Sequence, residues 1–131
     1  MYKIEKENFG YKLTFKGFIK KDEMLEWVEE SKRAVAGAPK DFGVLIDMRE
    51  LKPLPDDSQL HMQEGQKLYK TKGMLRSAVV VNGAATKMQF KRIAKETGIY
   101  DWERYINAAT STDWEKAAVG WISSGIDPDS H

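Results

Sequence analysis

The sequence predicts an α/β fold: a single domain with a mixed five-stranded sheet and four helices, in the order β-β-α-β-α-β-α-β-α. Three observations predict it. An N-terminal pair of segments alternates in polarity, an apolar run at 42–49 closes on an acid and a base, and later apolar runs alternate with segments of helical periodicity. Such alternation implies right-handed crossovers, and hence a mostly parallel sheet after an antiparallel hairpin. We expect the domain at 1–125 and a frayed polar tail at 126–131.

Length and composition limit the function classes. The chain has 131 residues, 41% hydrophobic and 31% charged, which is typical of one globular domain. The 21 basic and 20 acidic residues leave a net charge of +1. The net charge therefore provides no long-range attraction to nucleic acid or to an anionic membrane. Cysteine is absent, which excludes disulfides and thiolate zinc sites. Without a signal-peptide pattern or an apolar run of ~20 residues, we expect a soluble cytoplasmic protein with no membrane insertion.

The first half of the chain predicts a hairpin followed by a helix. Apolar residues alternate with polar ones on both sides of turn-forming residues 8–10 (Tyr2 and Ile4; Tyr11, Leu13 and Phe15). Asp22 stands where a helix N-cap belongs, and Gly37 and Pro39 are expected to end that helix, with Gly37 as its left-handed cap. The apolar positions of the helix follow a 3.6-residue repeat: Met24, Leu25, Val28 and Val35.

The apolar run at 42–49 predicts a central strand covered on both faces. Pro53 and Pro55 make the connector that follows extended, and the second helix, at 58–72, is expected to be capped by Asp56, Asp57 or Ser58. Gly65 weakens the middle of that helix by up to ~1 kcal/mol relative to alanine. Its apolar stripe is thin, so we expect it to be the most loosely held helix; the stripe consists of Met62, Leu68 and Tyr69.

The second half repeats the strand–helix pattern. A buried strand at 75–81 precedes a turn at 82–83 and a third helix that ends at Gly98, and a short strand at 104–109 lies at or near an edge of the sheet. Two capping boxes are predicted, Thr86 with Gln89 and Thr112 with Glu115. The third helix should bury Phe90, Ile93 and Ala94. The fourth should bury a stripe of Trp114, Ala117, Ala118, Trp121 and Ile122.

Three segments within this order form a pattern: the strand 45–47 ends in Asp, the strand 78–81 is rich in Val, and the last helix reads Ala-x-x-Trp-Ile at 118–122. This pattern resembles the SpoIIAA-like superfamily, which includes the STAS domains of anti-sigma-factor antagonists and sulfate transporters. The likeness covers nearly the whole chain and is greatest to an uncharacterised bacterial branch. The resemblance implies a SpoIIAA-like fold and a non-enzymatic regulatory or protein-interaction module.

In the antagonist members, a Ser within Asp-Ser-Ser-Gly is phosphorylated by a partner kinase, at the start of the helix that follows the central strand. The corresponding segment here is 55–58, Pro-Asp-Asp-Ser, and the motif is missing. Asp57 falls at the position of the phosphoacceptor and Ser58 lies one residue beyond it. A carboxylate at that position supplies one permanent charge where a phosphate supplies nearly two.

Polar residues that follow the central strands predict a binding site. The carboxyl ends of parallel strands form the binding crevice of open α/β sheets. We therefore expect a crevice for a protein partner or ligand, lined by Asp47, Arg49, Asp57, Ser58, Asn82, Thr86 and Lys87. Tyr100 and Trp102 either cap the core or anchor a partner subunit, so a homodimer is a further expectation.

Two other functions are open at this point. One is a small-molecule or lipid-binding domain with a cavity between the sheet and the second helix, lined by Leu60, Leu68 and Tyr69. The other is an enzyme that uses His61, which stands at helical spacing from Asp57 and Glu64. His131, the other histidine, is the last residue of the polar tail.

No catalytic residue, metal or cofactor is predicted. Helix capping accounts for the adjacent carboxylates Asp56 and Asp57, and segment 82–87 lacks the glycine pattern of a nucleotide site, although its free backbone N–H groups favour an adventitious anion. Basic residues on the third helix are typical of a solvated helix face, so we expect no nucleic-acid partner; these are Lys87, Lys91, Arg92 and Lys95.

Overall fold

A computed structural model describes residues 1–130 and confirms the predicted order of elements; His131 lies outside the described residues. The strands are β1 (Tyr2–Glu7), β2 (Gly10–Gly17), β3 (Phe42–Leu51), β4 (Met74–Val81) and β5 (Glu103–Asn107). The helices are α1 (Lys21–Ala34), α2 (Asp56–Thr71), α3 (Ala84–Thr97) and α4 (Trp114–Ser124), with a 3₁₀ turn at Ile99–Asp101. Within residues 1–130, the helices are too short or too polar to span a bilayer.

The five strands form one mixed sheet in the spatial order β1-β2-β3-β4-β5. β1 is antiparallel to β2, and every later pair is parallel, which confirms the predicted hairpin and parallel sheet. Each right-handed crossover moves to the adjacent strand in the same direction across the sheet. The connecting helices therefore all lie on one face of the sheet. The helices α1, α2 and α3 accordingly cover one face, and α4, which follows the last strand, covers the other.

The face under α1, α2 and α3, hereafter the three-helix face, has an aromatic core. Trp27 of α1 is fully buried and stacks on Tyr69 of α2, with ring centroids 6.1 Å apart and planes 11° apart. The Tyr69 hydroxyl shares a 2.9 Å hydrogen bond with Ser31 Oγ. The strands contribute Tyr11, Leu13, Phe15, Val44, Ile46, Met48, Val79, Val81 and Tyr105.

Gly65 permits the close approach of α2 to α1. A Cβ at this position would lie 2.1 Å from Cζ3 of the Trp27 indole, far inside van der Waals contact. The glycine that was expected to weaken α2 therefore brings it against the largest side chain of the core. Because α2 also buries Met62 and Tyr69, its packing does not support the expectation that it is loosely held.

The opposite face, hereafter the single-helix face, is aliphatic and covered by α4. Ala118, Trp121 and Ile122 are buried on it, with Trp114 and Ala117 at the margin, which confirms the predicted stripe. The strands contribute Leu45, Ala78, Val80 and Ile106. α4 packs mainly on β4 and its two neighbours, so the polar residues of β1 and β2 on this face lie outside its cover.

The predicted helix caps are wrong. Backbone carbonyls of Lys20, Pro55, Gly83 and Asp113 accept the first helical hydrogen bonds, and within residues 1–130 none of these four N-caps makes a side-chain capping bond. Because the helices begin at those positions, the expected N-cap Asp22 falls inside the first turn of α1. The residues expected to form the other caps also miss the N-cap position: Asp56, Asp57 and Ser58; Thr86 and Gln89; Thr112 and Glu115.

The helix C-termini agree better with prediction. Gly73 and Gly98 have φ of 111° and 84°, the conformation that glycine adopts most readily. The left-handed cap predicted at Gly37 is wrong, because α1 ends at Ala34 and the positive φ of that connection, 62°, falls on Asp41. On α3, Ala94 is buried and Phe90 half-buried, but Ile93 is 43% exposed because α3 turns only a narrow stripe toward the sheet.

The segment 126–130 contacts the body of the domain. Asp127 pairs with Arg104 of β5, and Asp129 accepts a hydrogen bond from the Tyr100 hydroxyl. The polarity on which the expectation of a frayed tail rested also supplies these contacts, because the carboxylates have cationic and hydroxyl partners on the body of the domain. Fraying stays a prediction.

Candidate functional site

The carboxyl ends of β2 to β5 lie along one edge of the sheet, hereafter the carboxyl edge, which consists of residues 17–22, 51–60, 82–88 and 107–113. It is the edge at which the sequence predicts a crevice. The structure brings some of the predicted residues to this edge and separates others from it.

Asp47 and Arg49 form a closed pair on the single-helix face. The Asp47 carboxylate is buried and accepts 2.9 Å hydrogen bonds from Nε and Nη2 of Arg49, while the guanidinium lies 4.2 Å from the centre of the Trp114 ring of α4. Burial alone would raise the pKa of Asp47, but the hydrogen bonds and charge of Arg49 outweigh it and lower that pKa. The pair is on the opposite face from α2 and α3, so the seven predicted crevice residues do not share one crevice.

At the start of α2, Asp57 is exposed and Ser58 is fully buried. Asp57 Oδ1 accepts a 2.8 Å hydrogen bond from the Ser58 N–H. The Ser58 hydroxyl is enclosed and has no hydrogen-bond partner among residues 1–130. Of the two candidate equivalents of the phosphoacceptor, the one that solvent and a partner can reach is therefore Asp57, which already carries a negative charge.

The start of α3 is held by a residue that sequence reasoning missed. Asn107, at the end of β5, accepts hydrogen bonds from the N–H groups of Gly83 at 2.9 Å and Ala109 at 3.0 Å. One of the backbone donors expected to be free at 82–87 is thus already occupied. Asn82 and Thr86 are exposed beside it. The available signal was an Asn close to the end of the predicted strand at 104–109, because Asn side chains often hydrogen-bond to neighbouring loop backbone.

Three large apolar side chains stand exposed at the carboxyl edge. Phe18 follows β2 and is 75% exposed, Leu60 lies in the second turn of α2 and is 65% exposed, and Met88 of α3 is 71% exposed. A shallow groove of about 380 Å³ runs between the starts of α1 and α2, lined by Lys20, Lys21, Asp22, Pro55 and Asp57. The sequence signal for Phe18 was its position between Gly17 and Ile19, outside the alternation of β2.

The residues named for the two alternative functions are dispersed. Leu60 points to solvent, whereas Tyr69 fills the core between α1 and α2, so these two do not line a common cavity. Leu68 is half-buried against the same core. His61 Nδ1 lies 3.5 Å from Glu64 Oε2 on the outer side of α2, a long contact between partly exposed groups.

Tyr100 and Trp102 pack within the domain. Trp102 is half-buried against the core, and Lys70 Nζ lies 4.4 Å from the centre of its indole. The Arg104 guanidinium lies over the Tyr100 ring, with the guanidinium carbon 3.7 Å from the centre of the ring. Burial and the Asp129 carboxylate, with which its hydroxyl is hydrogen-bonded, raise the pKa of Tyr100 to about 12. The two aromatics thus make intramolecular contacts, and a role in a subunit interface stays a prediction.

Comparison with known proteins identifies a solved structure of the same fold. Neither the protein-family models nor the curated proteins include a match to this sequence. Among solved structures, an uncharacterised protein of the DUF3478 family from Shewanella loihica PV-4, with a SpoIIAA-like fold, superposes with a TM-score of 0.62 over 88% of this chain and 90% of that one. The chain has a SpoIIAA-like fold. At 18% sequence identity the likeness concerns the fold alone, and it agrees with the resemblance read from the strand and helix pattern.

Proposed function

We propose that this SpoIIAA-like domain is a non-enzymatic regulatory or protein-interaction module whose partner binds the carboxyl edge. The observation that carries the proposal is the exposure of Phe18, Leu60 and Met88 on three successive elements of that edge. Apolar side chains grouped on a polar surface mark protein interaction sites more often than single ones do.

Energetics favour these three as the anchors of an interface. Transfer of one such side chain from water into a partner contributes about 1.5–3 kcal/mol. Interfaces draw most of their affinity from a few residues of this kind, surrounded by polar groups that set orientation. Lys20, Lys21 and Asp57, which line the groove between the starts of α1 and α2, supply such a polar margin.

The permanent charge of Asp57 distinguishes this module from one that a kinase switches. Asp57 is exposed and Ser58 is enclosed. The resemblance to the antagonist proteins aligns Asp57 with the residue that is phosphorylated there. A chain of this kind would present one constant charge to its partner instead of a charge switched by a kinase.

The experiment compares capture of partners by full-length variants. The wild type and a Phe18→Ser, Leu60→Ser, Met88→Ser variant are expressed with an affinity tag in the native host, and captured proteins are quantified by mass spectrometry. We expect the variant to lose a specific partner by at least about 10-fold, since 1.4 kcal/mol corresponds to a factor of ten.

The matched control is Leu75→Ser. Leu75 is 42% exposed but lies near the start of β4, at the opposite edge of the sheet. Capture of the same proteins by the triple variant, or an equal loss with Leu75→Ser, would contradict the proposal. Lysate capture by the wild type alone would not support it.

Homodimer formation, a cytoplasmic location and the division into a domain at 1–125 and a tail stay predictions. β5 lies at an edge of the sheet and pairs only with β4 among residues 1–130, which is the geometry that supports self-association. Sedimentation at two protein concentrations measures the oligomeric state directly.

A further inference from the structure

Two carboxylates of segment 126–130 are bound by a cluster of cations on α3 and β5. Asp127 accepts hydrogen bonds from Nε of Arg104 at 2.8 Å and from its Nη2 at 3.2 Å, a two-point contact. Asp129 lies 3.5 Å from Lys87 Nζ and 3.2 Å from Lys91 Nζ, and accepts the Tyr100 hydroxyl hydrogen bond. The hydrogen bonds and ion pairs that join the segment to α3 and β5 thus run through its two carboxylates.

The cationic side of this contact is rigid. The Arg104 side chain is only 10% exposed, and its guanidinium lies between two rings, 3.7 Å from the centre of Tyr100 and 4.3 Å from that of Trp121. Its Nη1 also donates to the Tyr100 and Glu103 carbonyls. A guanidinium fixed in this way loses little entropy on binding a carboxylate, so it is pre-organised for one. The hydrogen bonds from Arg104 lower the pKa of Asp127.

Two of these cationic side chains also line an open groove on the surface of the domain. It has a volume of about 620 Å³. Its lining combines four cations and Met88 of α3 with Asn107 at the end of β5 and Thr110 of the loop that follows; the cations are Lys87, Lys91, Arg92 and Lys95. Lys87 and Lys91 belong both to this groove and to the Asp129 contact. Segment 126–130 therefore pairs with the cations at one end of the groove, whereas the other two cations, Arg92 and Lys95, are exposed.

We propose that this cationic groove is a binding site for acidic peptide segments of the Asp-x-Asp type, and that residues 126–130 are its internal competitor. The segment Asp127-Pro128-Asp129 is itself such a ligand, held by Arg104 on one carboxylate and by Lys87 and Lys91 on the other. A partner with the same spacing of carboxylates takes its place and extends along Arg92 and Lys95.

The chemistry favours an acidic peptide over a nucleic acid. Single-stranded nucleic acids need aromatic faces on which bases stack. Here the faces of Tyr100 and Trp121 at the site are covered by Arg104. The groove offers point charges and a two-point arginine contact, which match carboxylates.

The internal competitor makes the site weak until it is displaced. A ligand tethered to its own site acts at an effective concentration in the millimolar range, and it reduces the apparent affinity of any external ligand accordingly. Removing its charges raises that affinity without altering the groove.

The experiment uses the full chain and a fluorescein-labelled peptide with the sequence Ile-Asp-Pro-Asp-Ser, measured by fluorescence polarisation at low salt. We expect the variant Asp127→Asn, Asp129→Asn to bind this probe about 10-fold more tightly than the wild type, because the tethered competitor is removed. Adding Lys87→Gln and Lys91→Gln to that variant should abolish the gain. Asp129→Asn alone, which keeps the Asp127–Arg104 pair, should give a smaller gain and serves if the double variant does not fold.

Several results would overturn the proposal. They are equal affinity of the wild type and the Asn variants, absence of probe binding to a folded Asn variant, and equal binding of the control peptide Ile-Asn-Pro-Asn-Ser. Displacement of the probe by inorganic phosphate as effective as that by unlabelled peptide would assign the groove to small anions instead. Met88 lines this groove as well as the carboxyl edge, so the variant Phe18→Ser, Leu60→Ser, which leaves the lining of the groove unchanged, separates the two proposals. Its loss of partner capture tests the proposed function, and its affinity for the probe should equal that of the wild type.

Discussion

The two faces of the sheet use their polar groups in opposite ways. On the three-helix face, polar groups are closed within the core: Ser31 bonds to Tyr69, and the Glu103 carboxylate accepts hydrogen bonds from Ser77 at 2.7 Å and from Tyr105. On the single-helix face, two units repeat in which an Asp pairs with an Arg that lies over a Trp of α4: Asp47, Arg49 and Trp114; Asp127, Arg104 and Trp121.

This difference separates stability from recognition. Large rings in close contact resist change, because core packing tolerates few alterations of volume. In each ion pair of the single-helix face only one partner is partly exposed, Arg49 at 36% and Asp127 at 33%, so that partner contributes less to stability and can be exchanged for a similar group from outside. We therefore expect substitutions on the three-helix face to alter the free energy of unfolding most, and those on the single-helix face to alter it less.

The largest effect is expected from Trp27→Ala. Loss of a fully buried indole should lower the free energy of unfolding by about 3–5 kcal/mol. Trp114→Ala, on the half-buried margin of the single-helix face, should cost about 1–2 kcal/mol, because less area is lost. Urea denaturation followed by circular dichroism measures both. Equal losses would remove the distinction between the faces.

Gly65→Ala tests the contact between α1 and α2. The new methyl group would stand 2.1 Å from the Trp27 ring, so the helices must separate. We expect a loss of about 1–3 kcal/mol from overpacking, despite the higher helix propensity of alanine. Gly37→Ala is the control, since nothing lies within 4 Å of a Cβ there, and it should stay within about 0.5 kcal/mol of the wild type. Stabilisation by Gly65→Ala would show that the helices are loosely packed.

Asp47→Asn tests the ion pair of the single-helix face. We expect a loss of about 1–2 kcal/mol at pH 7, because hydrogen bonds between charged groups are replaced by weaker ones. The pKa of Asp47 is lowered in the folded protein, so its contribution is present above the ordinary value near pH 4 and disappears as pH falls through the folded pKa. The gap between wild type and variant should therefore close in acid. A gap that widens there would reverse the sign of the pKa shift.

Two buried serines of the three-helix face give the smallest effects. Ser31→Ala removes the partner of Tyr69 and should cost about 1 kcal/mol. Ser58→Ala removes a hydroxyl that is unpaired within residues 1–130, so stability should stay within about 0.5 kcal/mol or rise. Thermal melting of both variants measures this. A larger loss for Ser58→Ala than for Ser31→Ala would mean that the Ser58 hydroxyl has a bonding role.

Sequence reasoning predicted the elements because local patterns determine them. The α4 stripe follows the 3.6-residue period of a helix, whereas the short apolar runs of β3 and β4 are identified as strands by their β-branched residues and the flanking glycines and prolines. The expected caps failed because a good capping residue does not fix where a helix begins; the strand ends and packing place the first carbonyl.

The site was harder to predict, because it depends on which face each residue occupies. Asp47 and Asp57 lie near each other in sequence, but the alternation of β3 places the Asp47 side chain under α4, away from α2. Trp27 and Gly65 meet through a contact between helices that no single segment encodes. The docking of 126–130 likewise needs residues of α3 and β5 brought together by the fold.

The order of strands in space, β1-β2-β3-β4-β5, is also their order along the chain. Each strand therefore pairs with the strand translated just before it, and each new edge of the sheet waits only for the next strand along the chain. Domains built in this way can assemble as they emerge, with short-lived exposure of each new edge to aggregation. α4 arrives last, so the single-helix face is the final surface that the nascent protein covers.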